Sequence, residues 1–276
     1  MDAEALKNYL EDRQQATILG ELQSFMYLMM EYRCAIREIE TKLNVLNDEF
    51  SLRHERNPFE SIESRVKEPL SIIEKMRRKG FELTVENIEE KLSDVAGIRV
   101  ICSFVEDIYY LADMLSAQDD LKVLEVKDYI KNPKPNGYRS LHLIIQIPIF
   151  LSDQKKNMRV EVQFRTIAMD FWASVDHKLK YKKNVANPEM IAEELRKCAD
   201  VISGVDQRMQ EIRNMIEAEE IADDKIDSQL SGRDFDSGRD ADDRPGFLGR
   251  TGETPGAGIS VLCGQRTAVC QYAQAF

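Results

Sequence analysis

Histidine is scarce in this chain: His54, His142 and His177 are the only three in 276 residues. No H-E-x-x-H motif or tandem His-Asp pair occurs, so a histidine-rich metal hydrolase centre has too few ligands. Cysteine is nearly as sparse. Cys34, Cys102, Cys198, Cys263 and Cys270 form no C-x-x-C pair and are odd in number, which disfavours a disulfide framework or structural zinc and predicts reduced thiols. No apolar run approaches the ~20 residues that a membrane helix needs. The first residues, MDAEALKNYLEDRQQ, lack the basic and apolar regions of a signal peptide. A cytoplasmic protein with no membrane segment is expected. The net charge of −11 argues against wholesale coating of nucleic acid.

The composition, 43% hydrophobic and 32% charged, is that of a globular protein with many solvated helical faces. The length suits one large domain or two small ones. Positive charge is local within an acidic chain. One cluster holds Arg65, Lys67, Lys75, Arg77 and Arg78; a second holds Lys122, Lys127, Lys131, Lys134 and Arg139. Two such patches suit compact polyanions such as nucleoside triphosphates, and equally suit solvated helix and loop surfaces.

Apolar periodicity predicts a long helix over residues 2–50, with Leu19, Leu22, Met26, Met29, Tyr32, Ile36, Ile39, Leu43 and Leu46 on one stripe. Residues 54–58 read as a loop. Glu68 precedes Pro69, so residues 64–68 should be extended and Pro69 should open a helix. Leu70, Ile73 and Met76 form that helix's expected inner face, and Gly80 its end. A short helix over 87–92 precedes a β-branched strand over 97–104. A helix over 108–115 and a strand over 121–126 lead to a Pro- and Asn-rich loop over 132–137. Strands over 141–147 and 158–164 form a hairpin. Thr166 is placed to cap a helix running to about Tyr181, with Ile167, Ala168, Phe171, Trp172, Val175 and Leu179 as its inner face. A last helix follows over 188–221. The chain then turns rich in Gly, Asp, Ser and Arg, and residues 222–276 read as a poorly ordered tail. Roughly four strands with flanking helices predict an α+β fold, a mixed β-sheet flanked by helices.

Three groups of residues could carry chemistry. In extended chain Arg65 and Lys67 point the same way, and Lys75 and Arg78 share a helix face. The four converge on a triphosphate, or form an exposed basic helix end. Asp94 lies just before one strand and Glu161 within another. If those strands are neighbours the two carboxylates could hold one Mg²⁺; otherwise Glu161 faces solvent from an edge. Gly137 permits a tight turn before Tyr138, whose ring could stack on a purine base or pack as a hairpin aromatic. Lys134 and Arg139 could meet phosphate. His142 follows on a strand, where it could equally be a core histidine.

Four segments, RVKEPLSIIEKMRRK, DVAGIRV, NGYRSLH and VEVQFRTIAMDFWASVDHKLKYK, in this order and spacing, resemble the RelA/SpoT-type synthetase domain. The absence of a hydrolase domain and of long regulatory regions points to its small alarmone synthetase members. The resemblance implies a nucleotidyltransferase-like core over residues 59–185, with a helical region over 1–58 before it and a helix over 186–221 after it. It implies a GTP pyrophosphokinase that moves the pyrophosphate of ATP to the 3′-hydroxyl of GTP or GDP. Arg65, Lys67, Lys75, Arg78 and Arg99 would hold ATP. Asp94 and Glu161 would bind Mg²⁺, with Glu161 also acting as general base. Lys134, Tyr138, His142, Gln163 and Asp170 would hold GTP or GDP. Asp170 and Asp176 depart from the Asn and Glu of some members, which bears on the choice among GTP, GDP and GMP. A homotetramer is implied as well. The rival expectation is a catalytically silent guanine-nucleotide or RNA-binding regulator built on the same groove.

Overall fold

The computed structural model describes residues 3–53, 57–180 and 187–231, with side chains over 19–52, 57–179 and 187–219. Residues 54–56 of the predicted loop and 232–276 of the predicted tail lie outside the described residues. The element order is α1 (Ala3–Arg53), β1 (Phe59–Val66), α2 (Pro69–Lys79), α3 (Val85–Lys91), β2 (Ala96–Cys102), α4 (Val105–Ser116), β3 (Lys122–Asp128), β4 (Leu141–Phe150), β5 (Lys155–Thr166), α5 (Ile167–Lys180) and α6 (Pro188–Ser231). The chain divides into two units after Gln210. In the second, the described residues are the distal turns of α6, where Arg213 pairs with Glu217 at 2.6 Å. Among the described residues no helix is long and apolar enough to cross a membrane.

The five strands form one mixed sheet in the order β1-β2-β5-β4-β3, in which only β2 and β5 run parallel. The expected α+β class and the β4–β5 hairpin are both present. The strand missed by pattern is most of β1: FESIESRV is a charged edge strand buried mainly at Phe59, so it has no clean apolar alternation. β2 begins at Ala96 and ends at Cys102, short of the predicted Phe104, which instead stands at the N-cap of α4.

Side-chain alternation gives the sheet two unlike faces. Ile98, Val100, Leu141, Leu143, Ile145, Val160, Val162 and Phe164 are buried in one cluster with α1 residues Leu28, Tyr32, Ile39 and Leu43 and with Ile108 and Leu111 of α4. Burying each such side chain contributes about 1.5–3 kcal/mol before entropy is counted. The opposite face carries the charged and amide residues of β1, β2 and β5.

Local signals hold where the backbone decides. Pro69 opens α2 after an extended Glu68, and Gly80 closes it in the left-handed region at φ 70°. Thr166 Oγ1 accepts from Met169 N at 3.1 Å and so caps α5. Helix burial departs from the apolar periodicity. In α2 the buried residues are Ile72 and Met76, while Leu70 is 74% exposed. In α1 Leu19, Leu22 and Met26 are exposed, and the buried stripe starts near Leu28. In α5 the expected inner residue Trp172 is buried, but Ile167, Phe171, Val175 and Leu179 are exposed, and Met169 and Asp176 are buried instead. Trp172 is pulled inward by α6, its Nε1 donating to Leu195 O at 2.9 Å. α6 also continues to Ser231, past the composition change at Ile221.

The loop before β4 is clamped against α6. Gly137 has φ +86°, and a Cβ there would stand 2.5 Å from Ala199 Cβ. Gly137→Ala should therefore lower stability by about 2–3 kcal/mol, from the left-handed backbone and the collision together. Adding Ala199→Gly should recover the collision's share only. Thermal unfolding of the two variants checks this; an unchanged midpoint in the single variant would contradict it.

Candidate active site

The polar face of the sheet is set by register. Arg65 of β1 lies opposite Gly97, and Glu63 opposite Arg99. Gly97, Arg99 and Ile101 lie opposite Glu161, Gln163 and Arg165. His142 lies opposite Gln163 on one side and Lys127 on the other. Strand pairing thus brings together residues up to a hundred positions apart.

A cleft lined in part by Arg65, Asp94, Arg99, Glu161 and Gln163 opens on this face. Asp94 sits in the short connection between α3 and β2. The Lys67 amide donates to Val95 O at 2.7 Å, which places Lys67 beside it. Lys67 Nζ and Lys75 Nζ both reach Asp94 Oδ2, at 2.8 and 2.6 Å. Burial pushes the Asp94 carboxyl up, but the hydrogen bonds from Lys67 and Lys75 outweigh it and hold the group below its ordinary range. Asp94 Oδ1 is buried and has no hydrogen-bond partner. Arg78 is exposed on the last turn of α2 and takes no part in this pairing.

Glu161 is held at both oxygens. His142 Nδ1 lies 3.2 Å from Oε1, and Gln163 Nε2 donates to Oε2 at 2.7 Å. Burial raises its pKa, yet the bond from His142, then that from Gln163, carry it below the usual value. Burial lowers His142, with a smaller push from Arg165, against the pull of Glu161. His142 is therefore neutral near pH 7. An ionised carboxylate only accepts, so Nδ1 bears the proton and Nε2 is the acceptor. Tyr138 Oη, 2.8 Å from Nε2, must then donate to it.

The loop carrying Tyr138 is built by backbone and carboxylate bonds. Asp128 Oδ1 accepts from the amides of Ile130 and Lys131, both at 3.0 Å. Gly137 N donates to Lys134 O at 2.8 Å and Tyr129 N to Ser140 O at 3.0 Å. Lys134 Nζ lies 4.4 and 4.7 Å from the ring centroids of Tyr129 and Tyr138. Burial lowers the Lys134 pKa despite Glu161 nearby. Arg139 points away from this group: its guanidinium lies 3.4 Å from Ala199 O and 3.3 Å from Asp200 on α6. It braces the loop rather than facing the cleft.

Of the residues singled out from sequence, Asp94, Glu161, Arg65, Arg99 and Gln163 share one cleft, and Lys67 and Lys75 flank it through Asp94. Tyr138 and His142 join it through Glu161. Asp170, on the first turn of α5, accepts from Arg165 at 3.0 Å and lies 3.3 Å from Arg99. Arg165 was missed as a site residue. The only signal was its place on the same strand face as Glu161 and Gln163.

Among the described residues no cluster of three or more His, Cys, Asp or Glu side chains could enclose a metal. A magnesium ion needs less, being held by one or two carboxylates with water and substrate phosphates completing its shell. The unpartnered Asp94 Oδ1, in a cleft shared with Glu161, fits that donor set.

The chain is similar to known proteins in both sequence and structure. Residues 64–186 match the model of the region found in RelA/SpoT proteins. The GTP pyrophosphokinase YwaC of Bacillus subtilis is 43% identical over 189 residues, 68% of this chain and 90% of that protein. The small alarmone synthetase 1 of B. subtilis bound to its product pppGpp superposes with a TM-score of 0.63 at 38% identity, over 67% of this chain and 94% of the other. The same synthetase bound to AMPCPP gives 0.61 at 33% identity, over 71% and 99%.

Proposed function

The chain belongs to the RelA/SpoT synthetase family, and on that premise we propose that it is a GTP pyrophosphokinase: it transfers the β,γ-pyrophosphate of ATP to the 3′-hydroxyl of GTP or GDP and releases AMP. The observation that carries this reading is the pairing of Asp94, fixed by two lysines, with Glu161, fixed by His142 and Gln163, in one cleft on the sheet's polar face.

Transfer of this kind depends on positioning and charge neutralisation more than on covalent help from the protein. Lys67 and Lys75 project beside the cleft, and Arg65 and Arg99 line it. They supply the cations for the donor's polyphosphate, with Arg78 at the solvent end of α2. A bound Mg²⁺, held by Asp94 Oδ1 and Glu161, would neutralise charge that develops on the phosphate oxygens. Glu161 is ionised, and accepts the proton of the acceptor 3′-hydroxyl as that oxygen attacks the β-phosphorus. Tyr138 and Lys134 receive the guanine nucleotide, with Gln163, His142 and Asp170 behind them. A pure guanine-nucleotide or RNA-binding regulator has no need of the Asp94–Glu161 pair, so catalysis is the better reading.

The assembly we propose is a homotetramer acting in the cytoplasm. Leu19, Leu22 and Met26 on α1, Phe171 on α5 and Val201, Val205 and Met209 on α6 are apolar and exposed in the single chain, which favours burial between copies. Light scattering that finds only monomer would remove this part.

Incubation with ATP, GTP and Mg²⁺ should yield AMP and a pyrophosphorylated guanosine in equal amounts, and chelation of the metal should stop it. RNA binding without ATP consumption would favour the regulator instead.

A further inference from the structure

Arg165 is the most heavily engaged side chain on the polar face, and the steps above give it no role. Its side chain is 6% exposed. One terminal nitrogen, NH2, donates both of its protons: to Tyr138 Oη at 2.7 Å and to Gln163 Oε1 at 2.8 Å. The other, NH1, donates to Asp170 Oδ1 at 3.0 Å. The guanidinium carbon also lies 5.2 Å from the Tyr138 ring centroid. Its Nε is buried with no hydrogen-bond partner. Burying a cation at this cost, with its Nε unsatisfied, calls for a compensating use.

The two bonds from NH2 begin two arms that meet again. Because Tyr138 Oη accepts from Arg165, its own proton is free for His142 Nε2, and this leaves Nδ1–H aimed at Glu161 Oε1. Because Gln163 Oε1 accepts from Arg165, the amide can have only one orientation, with Nε2 directed at Glu161 Oε2. A hydroxyl rotor, a tautomer and an amide flip are each two-fold choices. A single guanidinium nitrogen holds all three in the setting that the ionised Glu161 requires from the other side.

We propose that Arg165 is a positioning residue for the transfer: its NH2 group closes a hydrogen-bonded ring through Tyr138, His142 and Gln163 that fixes both oxygens of Glu161. This rests on the reading of Glu161 as the group that receives the acceptor's proton. Asp170 holds the free end of the guanidinium, and its contact with Arg99 ties the ring to the cations on the donor side of the cleft.

The test is steady-state kinetics on the full-length chain with Mg²⁺, ATP and GTP. Arg165→Met breaks both arms and should lower kcat on the order of 100-fold, the scale of a small misplacement of reacting groups. KM for ATP should stay within about threefold, since no donor contact is lost. Arg165→Lys keeps the charge on a single donor nitrogen and should recover part of the loss. Tyr138→Phe removes one hydroxyl, keeps the ring and should lower kcat about tenfold with KM for GTP within about threefold. The double variant with Arg165→Met should be no slower than Arg165→Met alone, because the arm is already open. Should Arg165→Met fail to fold, the Lys and Phe variants carry the test. Arg165→Met within threefold of wild-type kcat would overturn the proposal. So would a rise in KM for GTP with kcat unchanged, or full additivity in the double variant. If the wild-type chain makes no pyrophosphorylated guanosine, the functional reading itself fails. Active wild type with unaffected variants removes only the role of Arg165.

Discussion

Glu161→Gln is expected to leave a folded chain that binds nucleotide and turns over roughly a thousandfold more slowly, within the range for loss of a positioned base. The side chain keeps its size, so the sheet is undisturbed. Two properties are lost together, the negative charge and the capacity to take a proton. The surroundings also resist the amide. Its oxygen can accept from His142, but its NH2 group then faces the NH2 group of Gln163, which cannot turn over without losing its bond from Arg165. Kinetics with and without saturating Mg²⁺, alongside nucleotide binding by calorimetry, check this. Activity within tenfold of wild type would place the base elsewhere.

Asp94→Asn is expected to have the second largest effect, roughly a hundredfold or more on turnover, by the removal of a charged metal ligand. Its signature differs from that of Glu161→Gln. Asp94 is held ionised by Lys67 and Lys75, which share its Oδ2. The amide leaves two ammonium groups facing each other without an anion between them. The groups are about one-fifth exposed, so solvent screens part of the repulsion and the stability loss should be about 1–2 kcal/mol, below that for a fully buried pair. Phosphates of a bound nucleotide can replace the lost charge. Metal-free ATP binding should therefore be unchanged or tighter while Mg²⁺-dependent turnover collapses. Weaker metal-free binding with turnover retained would contradict the assignment of Asp94 to the metal.

These predictions rest on residues legible in the sequence to different degrees. The motif residues that matter most are visible because each breaks a local rule: Glu161 is a carboxylate inside a strand, Gly137 precedes an aromatic, and Pro69 follows a basic extended stretch. The turn and cap chemistry at Pro69, Gly80 and Thr166 was equally clear, since it depends on neighbours in sequence. The partners of those residues were not. That Lys67 and Lys75 share one oxygen of Asp94 depends on β1, α2 and the α3–β2 connection meeting, and no spacing encodes it. Arg139 was read toward phosphate, but α6, sixty residues on, claims it through Ala199 and Asp200. The face of α5 was misread because apolar residues occur all round that helix. Burial was decided by contacts such as Trp172 with Leu195, leaving Phe171 and Ile167 exposed. Arg165 looked like one more strand charge, and only the side-chain network of the folded sheet distinguishes it.

On the proposed function, the acceptor's 3′-oxygen attacks the β-phosphorus of ATP in this cleft. ATP labelled with one isotope at the α-phosphate and another at the γ-phosphate, incubated with GTP and Mg²⁺, tests it most directly. All α-label should leave as AMP while γ-label appears on the guanosine product, with no free pyrophosphate. Transfer of α-label to the acceptor with release of pyrophosphate, or no labelled guanosine product at all, would contradict it.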